Sequence, residues 1–180
     1  MEDVQEEFLQ FYGNILGSSD PVQDIDMEII NRGPVLTEQQ GQALCAPILD
    51  SEIKEAFFSI PADKAPGPDG LTSAFFKATL HIVGKDICWA IKDFFRSGKL
   101  LQMVNATFLT LVPKVSCPRT VGDYRPIACC NMIYKVITKI ITSRLQLVMD
   151  YLVDEVQGAF VKNRSIVDNI SRLPGSCSWI

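Results

Sequence analysis

The chain of 180 residues is long enough for one domain with a core, and 47% hydrophobic with 21% charged residues is ordinary globular composition. Its longest apolar runs are only a few residues, and its acidic start, MEDVQEEFLQ, lacks a basic n-region, so we expect neither a membrane span nor a signal peptide. A nuclear or cytoplasmic location follows as an expectation.

The net charge of −4 is distributed unevenly. Residues 1–60 hold 2 Lys and Arg against 12 Asp and Glu, whereas residues 85–144 hold 10 against 3. A basic stretch beside an acidic one is typical of a surface that meets polyanions, although solvated helix faces give the same count. Charge alone therefore leaves nucleic-acid binding open.

The cysteines do not indicate a metal site. None forms a C-x-x-C pair and the only histidine is His81, so the short ligand spacing of zinc sites is missing. We expect six buried free thiols in a reducing compartment. They are Cys45, Cys88, Cys117, Cys129, Cys130 and Cys177.

The first 50 residues predict an acidic arm. Residues 3–16 have apolar residues at helical spacing and indicate an amphipathic helix, while Gly17–Gly33 is rich in turn residues and indicates a linker. Thr37 followed by Gln40 matches a capping box. We expect this arm to pack loosely on the rest.

The next segment alternates helix and loop. Asp50 or Ser51 can cap a helix that ends near Ile60. The stretch KAPGPDG, residues 64–70, follows it and forbids regular structure, because two prolines and two glycines fall within seven residues. Two further helices are predicted, from Thr72 to about Ile82 and from about Lys85 to Ser97, with Gly98 closing the second.

The spacing of the apolar residues then changes from a helical to an extended pattern. TFLTLVP, residues 107–113, is uncharged and β-branched, which predicts a largely buried strand stopped by proline, and PIACC can return as a short strand. Lys114 and Arg125 flank the loop between them. Two antiparallel strand ends would bring both cations to one open surface, where triphosphate oxygens could accept charge-assisted hydrogen bonds. The competing interpretation is that Arg125 pairs with Asp123 and ties down the loop.

The longest helix is predicted from Met132 to about Tyr151, capped by Asn131. A short strand or hairpin and a helix start at Ser165 are expected after it. The predicted buried set is Ile133, Val136, Ile137, Ile140, Ile141, Val148 and Leu152. Lys135, Lys139 and Arg144 fall on its other faces.

Five stretches, in this order, resemble the reverse transcriptase of plant non-LTR (LINE-type) retrotransposons. They are FYGNILGSSDP, EIKEAFFSIPADKAPGPDGLTSAFFK, LLQMVNATFLTLVPKV, DYRPIACCNMIYKVITKIITSRLQLVM and VQGAFVKNRSIVDNI. They span roughly residues 7 to 170. The resemblance implies an α+β, mostly α fold: the fingers subdomain of a right-hand polymerase with a short antiparallel sheet.

The resemblance also implies roles for individual residues. Lys114 and Arg125 would contact the triphosphate of the incoming deoxynucleotide. Residues near an RNA template or RNA/DNA hybrid would be Lys64, Gly67, Asp69 and Gly70 in the proline–glycine loop, and Gln157, Phe160, Arg164 and Ser165 after the long helix.

Catalysis in this family needs palm carboxylates that hold two magnesium ions. Their D-x-x-K-A-F/Y-D and YADD motifs do not occur in the sequence, and the single loop carboxylates Asp63, Asp69, Asp123 and Asp168 do not replace them. We therefore expect no catalytic or metal-binding residues, no bound cofactor and no polymerase activity by these 180 residues alone. Magnesium belongs to the full-length family enzyme, and the palm and thumb are expected to be missing.

The predicted organisation is an arm at 1–50, a fingers fragment at 51–170 and an atypical tail at 171–180, because SRLPGSCSWI departs from the family pattern. Two alternatives remain: a nucleic-acid-binding module without catalysis, and a non-functional translated remnant. A steep negative salt dependence of single-stranded RNA binding would favour the module.

Overall fold

The computed structural model describes residues 2–19, 21–22, 24–154, 157–158, 161 and 164. Within them the chain is mostly helical with one two-stranded antiparallel sheet, which confirms the predicted fold class. No described helix is both long and apolar enough to cross a membrane. The elements are α1 (Glu2–Gly17), α2 (Met27–Arg32), α3 (Glu38–Leu44), α4 (Asp50–Ser59), α5 (Ser73–Ser97), α6 (Gln102–Asn105), β1 (Thr107–Pro113), a 3₁₀ turn (Val121–Asp123), β2 (Tyr124–Cys130) and α7 (Met132–Leu152).

The core lies where α4, α5 and α7 pack on one another. Its fully covered side chains are Phe57, Ile53, Ile91, Ile140 and Val136. The stripe predicted for α7 is confirmed at four positions and wrong at Ile141, which is 37% exposed. Ile141 follows Ile140 by 100° around the helix, so it turns away from α4 and α5.

Helix α5 is continuous, which corrects the prediction of two helices. Gly84 lies in the middle of its 25 residues without interrupting them, because a glycine lowers helix stability by only about 1 kcal/mol and leaves the hydrogen bonds intact. The predicted end is confirmed: Gly98 adopts a left-handed conformation (φ 67°), and its N–H donates to the carbonyl of Phe94.

Arg144 joins the middle of α7 to the segment between α3 and α4. Its guanidinium binds both carboxylate oxygens of Glu52 at 2.8 Å and donates to the carbonyls of Leu44, Ala46 and Pro47. Its side chain is only 15% exposed. Arg144 is therefore a structural link, whereas its sequence position indicated only an outer helix face.

The hairpin of β1 and β2 is exposed on both faces, so the prediction of a largely buried β1 is wrong. Only Leu111 among the seven residues of β1 is even partly covered. Thr107 pairs with Cys130 at one end of the ladder and Pro113 with Tyr124 at the other. An apolar run predicts a strand that could be buried, but burial also requires a neighbouring element. In the described part of the chain, α1 contacts the hairpin at its loop end.

The acidic arm contains more structure than predicted. Helix α1 matches its prediction, but α2, capped by the Asp26 carboxylate, lies inside the predicted linker. The capping box of Thr37 and Gln40 is confirmed. The predicted cap by Asp50 or Ser51 is wrong, because Leu49 occupies that position without a side-chain bond and Asp50 already lies in the helix.

The cysteines correct another expectation. Among the five described, Cys45 and Cys117 are exposed, and Cys88, Cys129 and Cys130 are partly covered, so none is the fully buried thiol that was predicted. Cys129 and Cys130 lie on the open hairpin, which accounts for their exposure. Cys177 is outside the described residues.

Candidate functional site

Lys114 and Arg125 lie at adjacent ends of the two strands of the hairpin. The Lys114 N–H donates to the carbonyl of Asp123 at 2.7 Å, which extends the ladder one step beyond the pair of Pro113 and Tyr124. Arg125 is paired with Val112. Paired residues share a face, so Val112 and Arg125 belong to one face of the ladder. Continued alternation predicts the same face for Lys114, which directly follows β1.

The Asp123 carboxylate is engaged with its own loop. Asp123 accepts the backbone N–H groups of Arg119 and Thr120, each at 2.9 Å. These bonds, then the Thr120 hydroxyl, hold the pKa of Asp123 below its ordinary value against a small opposing effect of desolvation, and the Lys114 charge contributes least. Asp123 therefore stabilises its own loop through backbone donors, whereas the competing interpretation had it pair with Arg125.

Arg125 is exposed and, within the described residues, has no hydrogen-bond or ion-pair partner. The Lys114 ammonium donates to the carbonyl of Gly122 at 2.7 Å, which orients it and leaves further N–H donors available. A guanidinium and an ammonium with donors to spare are each able to bind an oxyanion.

The opposite face of the hairpin is where α1 packs. The Phe8 ring meets the Tyr124 ring edge-on at 5.2 Å between centroids, and the Tyr12 hydroxyl donates to the Tyr124 carbonyl at 3.3 Å. Tyr124 alternates with Arg125 along β2, so the ring contact of the acidic arm lies on the face away from Arg125, at the loop end of the hairpin. The cationic face is left open.

The proline–glycine loop is held against the start of α7. Gly67 is buried, and a Cβ at this position would lie 2.6 Å from the Cα of Asn131, so no other residue fits without a backbone shift. Gly70 closes the turn with φ 71° and donates its N–H to the Gly67 carbonyl at 3.0 Å. The glycines therefore serve a close approach and a left-handed turn.

Asn131 is a site residue whose role the sequence did not indicate. Its Oδ1 accepts the N–H of Asp69 at 3.2 Å, and its Nδ2 donates to the carbonyls of Met103 and Val104 at 2.8 and 3.2 Å. It occupies the predicted N-cap position of α7 but makes no side-chain cap bond. Asn131 instead joins the loop to the residues just before β1.

Lys135 makes a second connection, since its ammonium donates to the Ala65 carbonyl at 2.6 Å. Asp69 is used within the loop, where its Oδ1 accepts the N–H of Leu71 at 2.9 Å. Lys64 is exposed and has no partner among the described residues. A template contact was expected for both charged side chains of the loop, Lys64 and Asp69. Of the two, Lys64 is open to a ligand.

The candidates after α7 are divided. Arg164 donates to the carbonyls of Asp150, Val153, Asp154 and Gln157, so its guanidinium caps the end of α7. Gln157 is exposed. Phe160 and Ser165, with the predicted hairpin and helix start, lie outside the described residues.

No group of three or more potential metal ligands occurs in the part of the chain that the structure describes. The one carboxylate of the hairpin loop, Asp123, is engaged by backbone donors. The described residues of the site thus offer cations and a stiff loop, which suit an anion.

The comparisons with known proteins connect this chain to a transposon. It is similar to the Xenopus laevis protein named "Transposon TX1 uncharacterized 149 kDa protein", with 31% identity over 170 residues. The matched region is 94% of this chain and 13% of that protein, so the chain spans a small part of the relative's length. No family model matches the chain.

Proposed function

We propose that this chain is the fingers part of a LINE-type retrotransposon reverse transcriptase, where it holds the template and the incoming deoxynucleoside triphosphate. Two similarities of the sequence support the proposal. The sequence carries five ordered stretches that resemble that family, and a transposon protein is similar over nearly the whole chain. The relative comes from a frog, so assignment to the plant branch rests on the resemblance alone.

The observation that carries the proposal is the position of Lys114 and Arg125 at adjacent ends of the two strands. Lys114 directly follows β1 and bonds the backbone of Asp123, and Arg125, near the start of β2, has no partner within the described residues. From this register we infer that the two cations share one open face. A guanidinium takes two phosphate oxygens at once and an ammonium takes a third as a point charge. A triphosphate offers that set of oxygens.

The template element is the loop at residues 64–70. Its backbone is held by Asn131 and Lys135, so the exposed Lys64 projects from a fixed position. A stiff loop with few side chains lets backbone amides come close to a phosphate. Asn131 also bonds the residues before β1, so the template loop and the nucleotide hairpin share one anchor.

These residues bind and orient substrates; the chemistry belongs to palm carboxylates whose motifs are not in this sequence. We expect no primer extension by the 180 residues with magnesium or manganese. Incorporation of labelled deoxynucleotide on a primed RNA above a buffer control would contradict this expectation.

Nucleotide binding tests the hairpin directly. Titrating the chain into a fluorescently labelled deoxynucleoside triphosphate, followed by anisotropy, should give saturable binding at low salt. Arg125→Ala and Lys114→Ala should each weaken it about tenfold, the equivalent of about 1.4 kcal/mol. Arg119→Ala is the matched control, because it removes an exposed cation from the same loop.

Equal losses for Arg119→Ala and Arg125→Ala would show nonspecific attraction to a basic loop and would contradict the proposal. Absence of any binding by the unmodified chain would contradict it as well. Unchanged thermal transitions should accompany all three substitutions, since none of the three side chains lies in the core.

A further inference from the structure

One stripe of α5 alternates basic and aromatic side chains outside the site described so far. Lys77, His81, Lys85 and Trp89 occur at every fourth position. Residues four apart form a ridge along a helix surface. The ridge therefore presents a row of cations and rings along about 18 Å of helix, at 1.5 Å per residue.

Helix α4 supplies a facing ridge of Asp50, Lys54 and Phe58, also four residues apart. The two ridges border a groove of about 660 Å³. The residues at its base are Ile53, Phe57, Leu80, Gly84 and Cys88. Gly84, which has no side chain, lies four residues from Leu80 and from Cys88 in this lining.

The rim of the groove is positive and partly unpaired. Lys92 pairs with Asp50 at 2.6 Å, and Lys77 donates to the Ile60 carbonyl at 2.6 Å. Lys54 and Lys85 are exposed and have no partner among the described residues. A ligand in the groove thus meets two free ammonium groups and no free carboxylate from its lining.

The rim also exposes two aromatic rings. Trp89 is 69% exposed and Phe58 is 51% exposed, one on each side of the groove. The apolar residues Ile53 and Phe57 at the base are fully covered by the helices themselves. Trp89 and Phe58 therefore offer ring surface to a ligand, and the Lys77 ammonium lies 5.8 Å from the centroid of the Phe58 ring. Exposed rings beside cations suit stacked bases and their phosphates.

We propose that the groove between α4 and α5 binds single-stranded RNA, with bases stacked on Trp89 and Phe58 and phosphates on Lys54 and Lys85. The choice of RNA rests on the proposed function. The groove starts at the template loop, since Lys77 bonds the carbonyl of Ile60, just ahead of residues 64–70. A strand that leaves the loop can continue along it.

The test uses the fluorescence of Trp89 in the full chain. The sequence has two tryptophans, so a Trp179→Phe background isolates Trp89. Titration with a single-stranded RNA of about 12 nucleotides, within the span of known single-strand sites, should quench this fluorescence. Trp89→Ala should weaken RNA binding about tenfold and Trp89→Phe much less, since a ring stays in place.

A charge variant and a pair of glycine variants add two further readouts. Lys85→Ala should lower the slope of log affinity against log salt by about 0.7, the value for one lost phosphate contact on a single strand. Gly84→Phe should fill the groove and reduce RNA binding. Gly84→Ala should leave it unchanged, because its Cβ would meet only the Leu80 side chain at ordinary contact distances of 3.5 and 3.6 Å.

The outcomes separate this inference from the proposed function. RNA binding without quenching, and with full affinity in Trp89→Ala, would overturn the groove assignment and leave triphosphate binding by Arg125 untouched. Loss of triphosphate binding with intact quenching would do the reverse. Tighter binding of duplex RNA, of single-stranded DNA of the same sequence, or of an acidic peptide would also overturn it.

Discussion

The three-helix core and the hairpin use apolar residues in opposite ways. In α4, α5 and α7, isoleucine and phenylalanine side chains cover one another almost completely. In β1 and β2, Phe108, Leu109, Val112 and Ile127 remain 42 to 60% exposed. Similar composition thus gives a closed core in one region and an open surface in the other. Within the described residues the helices pack their apolar faces on one another, whereas the hairpin is contacted by α1 at its loop end. The core stabilises the domain. The exposed apolar side chains of the hairpin are available for contacts with groups outside the described residues.

The sharpest test of this contrast lies on α7. Ile140→Asp buries an unpaired charge at a position that is 1% exposed, and we expect the chain to unfold or lose about 4 kcal/mol of stability. Ile141→Asp is the matched control on the exposed side and should cost much less. Thermal unfolding by circular dichroism measures both, and equal losses would mean that the described packing of α7 is incorrect.

Breaking the link at Arg144 should have the next largest effect. Arg144→Ala leaves the Glu52 carboxylate and three carbonyls without their donor, for an expected loss of about 3 kcal/mol. Arg96→Ala, on an 81% exposed side chain, should change the free energy of unfolding by less than about 0.5 kcal/mol. Urea unfolding of the two variants compares them.

The same link predicts a pH dependence. The hydrogen bond from Arg144, and secondarily its charge, lower the pKa of Glu52 in the folded chain despite partial desolvation. Its contribution is therefore complete above the unfolded pKa of about 4.3 and is lost as pH falls through the lower folded value. Arg144→Ala should flatten this part of the stability profile, and an unchanged profile would show that Glu52 gains nothing from the pair.

A smaller effect is expected in the proline–glycine loop. Gly67→Ala forces its Cβ against the Asn131 backbone, so the loop must move, at an expected cost of about 2 kcal/mol. Gly41→Ala is the control, since nothing lies within 4 Å of its Cβ and the change favours helix α3. Faster hydrogen exchange at the Asp69 amide in Gly67→Ala alone would locate the change.

The smallest effect should come from the hairpin. Phe108→Ser removes a side chain that is 60% exposed, and we expect a change below about 0.5 kcal/mol together with higher solubility. A loss as large as that of a core phenylalanine would mean that the hairpin is covered by residues outside those described, and would remove the contrast between the two regions.

Regular features with a local cause could be predicted from the sequence. The buried stripe of α7, the capping box at Thr37 and the left-handed Gly98 depend on neighbours within a few positions. The links made by Arg144 and Asn131 could not, because their partners lie 62 to 100 residues away for Asp69, Glu52 and Leu44. The exposure of β1 was missed for the same reason, since an apolar run does not specify what covers it.

The candidate site, too, could be predicted from the sequence only where the cause is local. Pro113 gave the end of β1, whereas β2 begins two residues before Pro126, at Tyr124. The shared face of Lys114 and Arg125 stays a prediction from this register. The engagement of Asp123 by its own loop, and the capping of α7 by Arg164, depend on conformations that side-chain type does not determine.

The alternation of the β1–β2 ladder makes the hairpin far more sensitive to insertions and deletions than to substitutions. Deleting one residue inside β2 would exchange the two faces, turning Arg125 toward α1 and a tyrosine toward the open side. An insertion at residues 115–119, outside the ladder, would leave the parity intact. A gene copy that accumulates errors can therefore encode a chain with the same composition, helices and charge. The deletion of one codon is still enough to remove the cationic face of the hairpin.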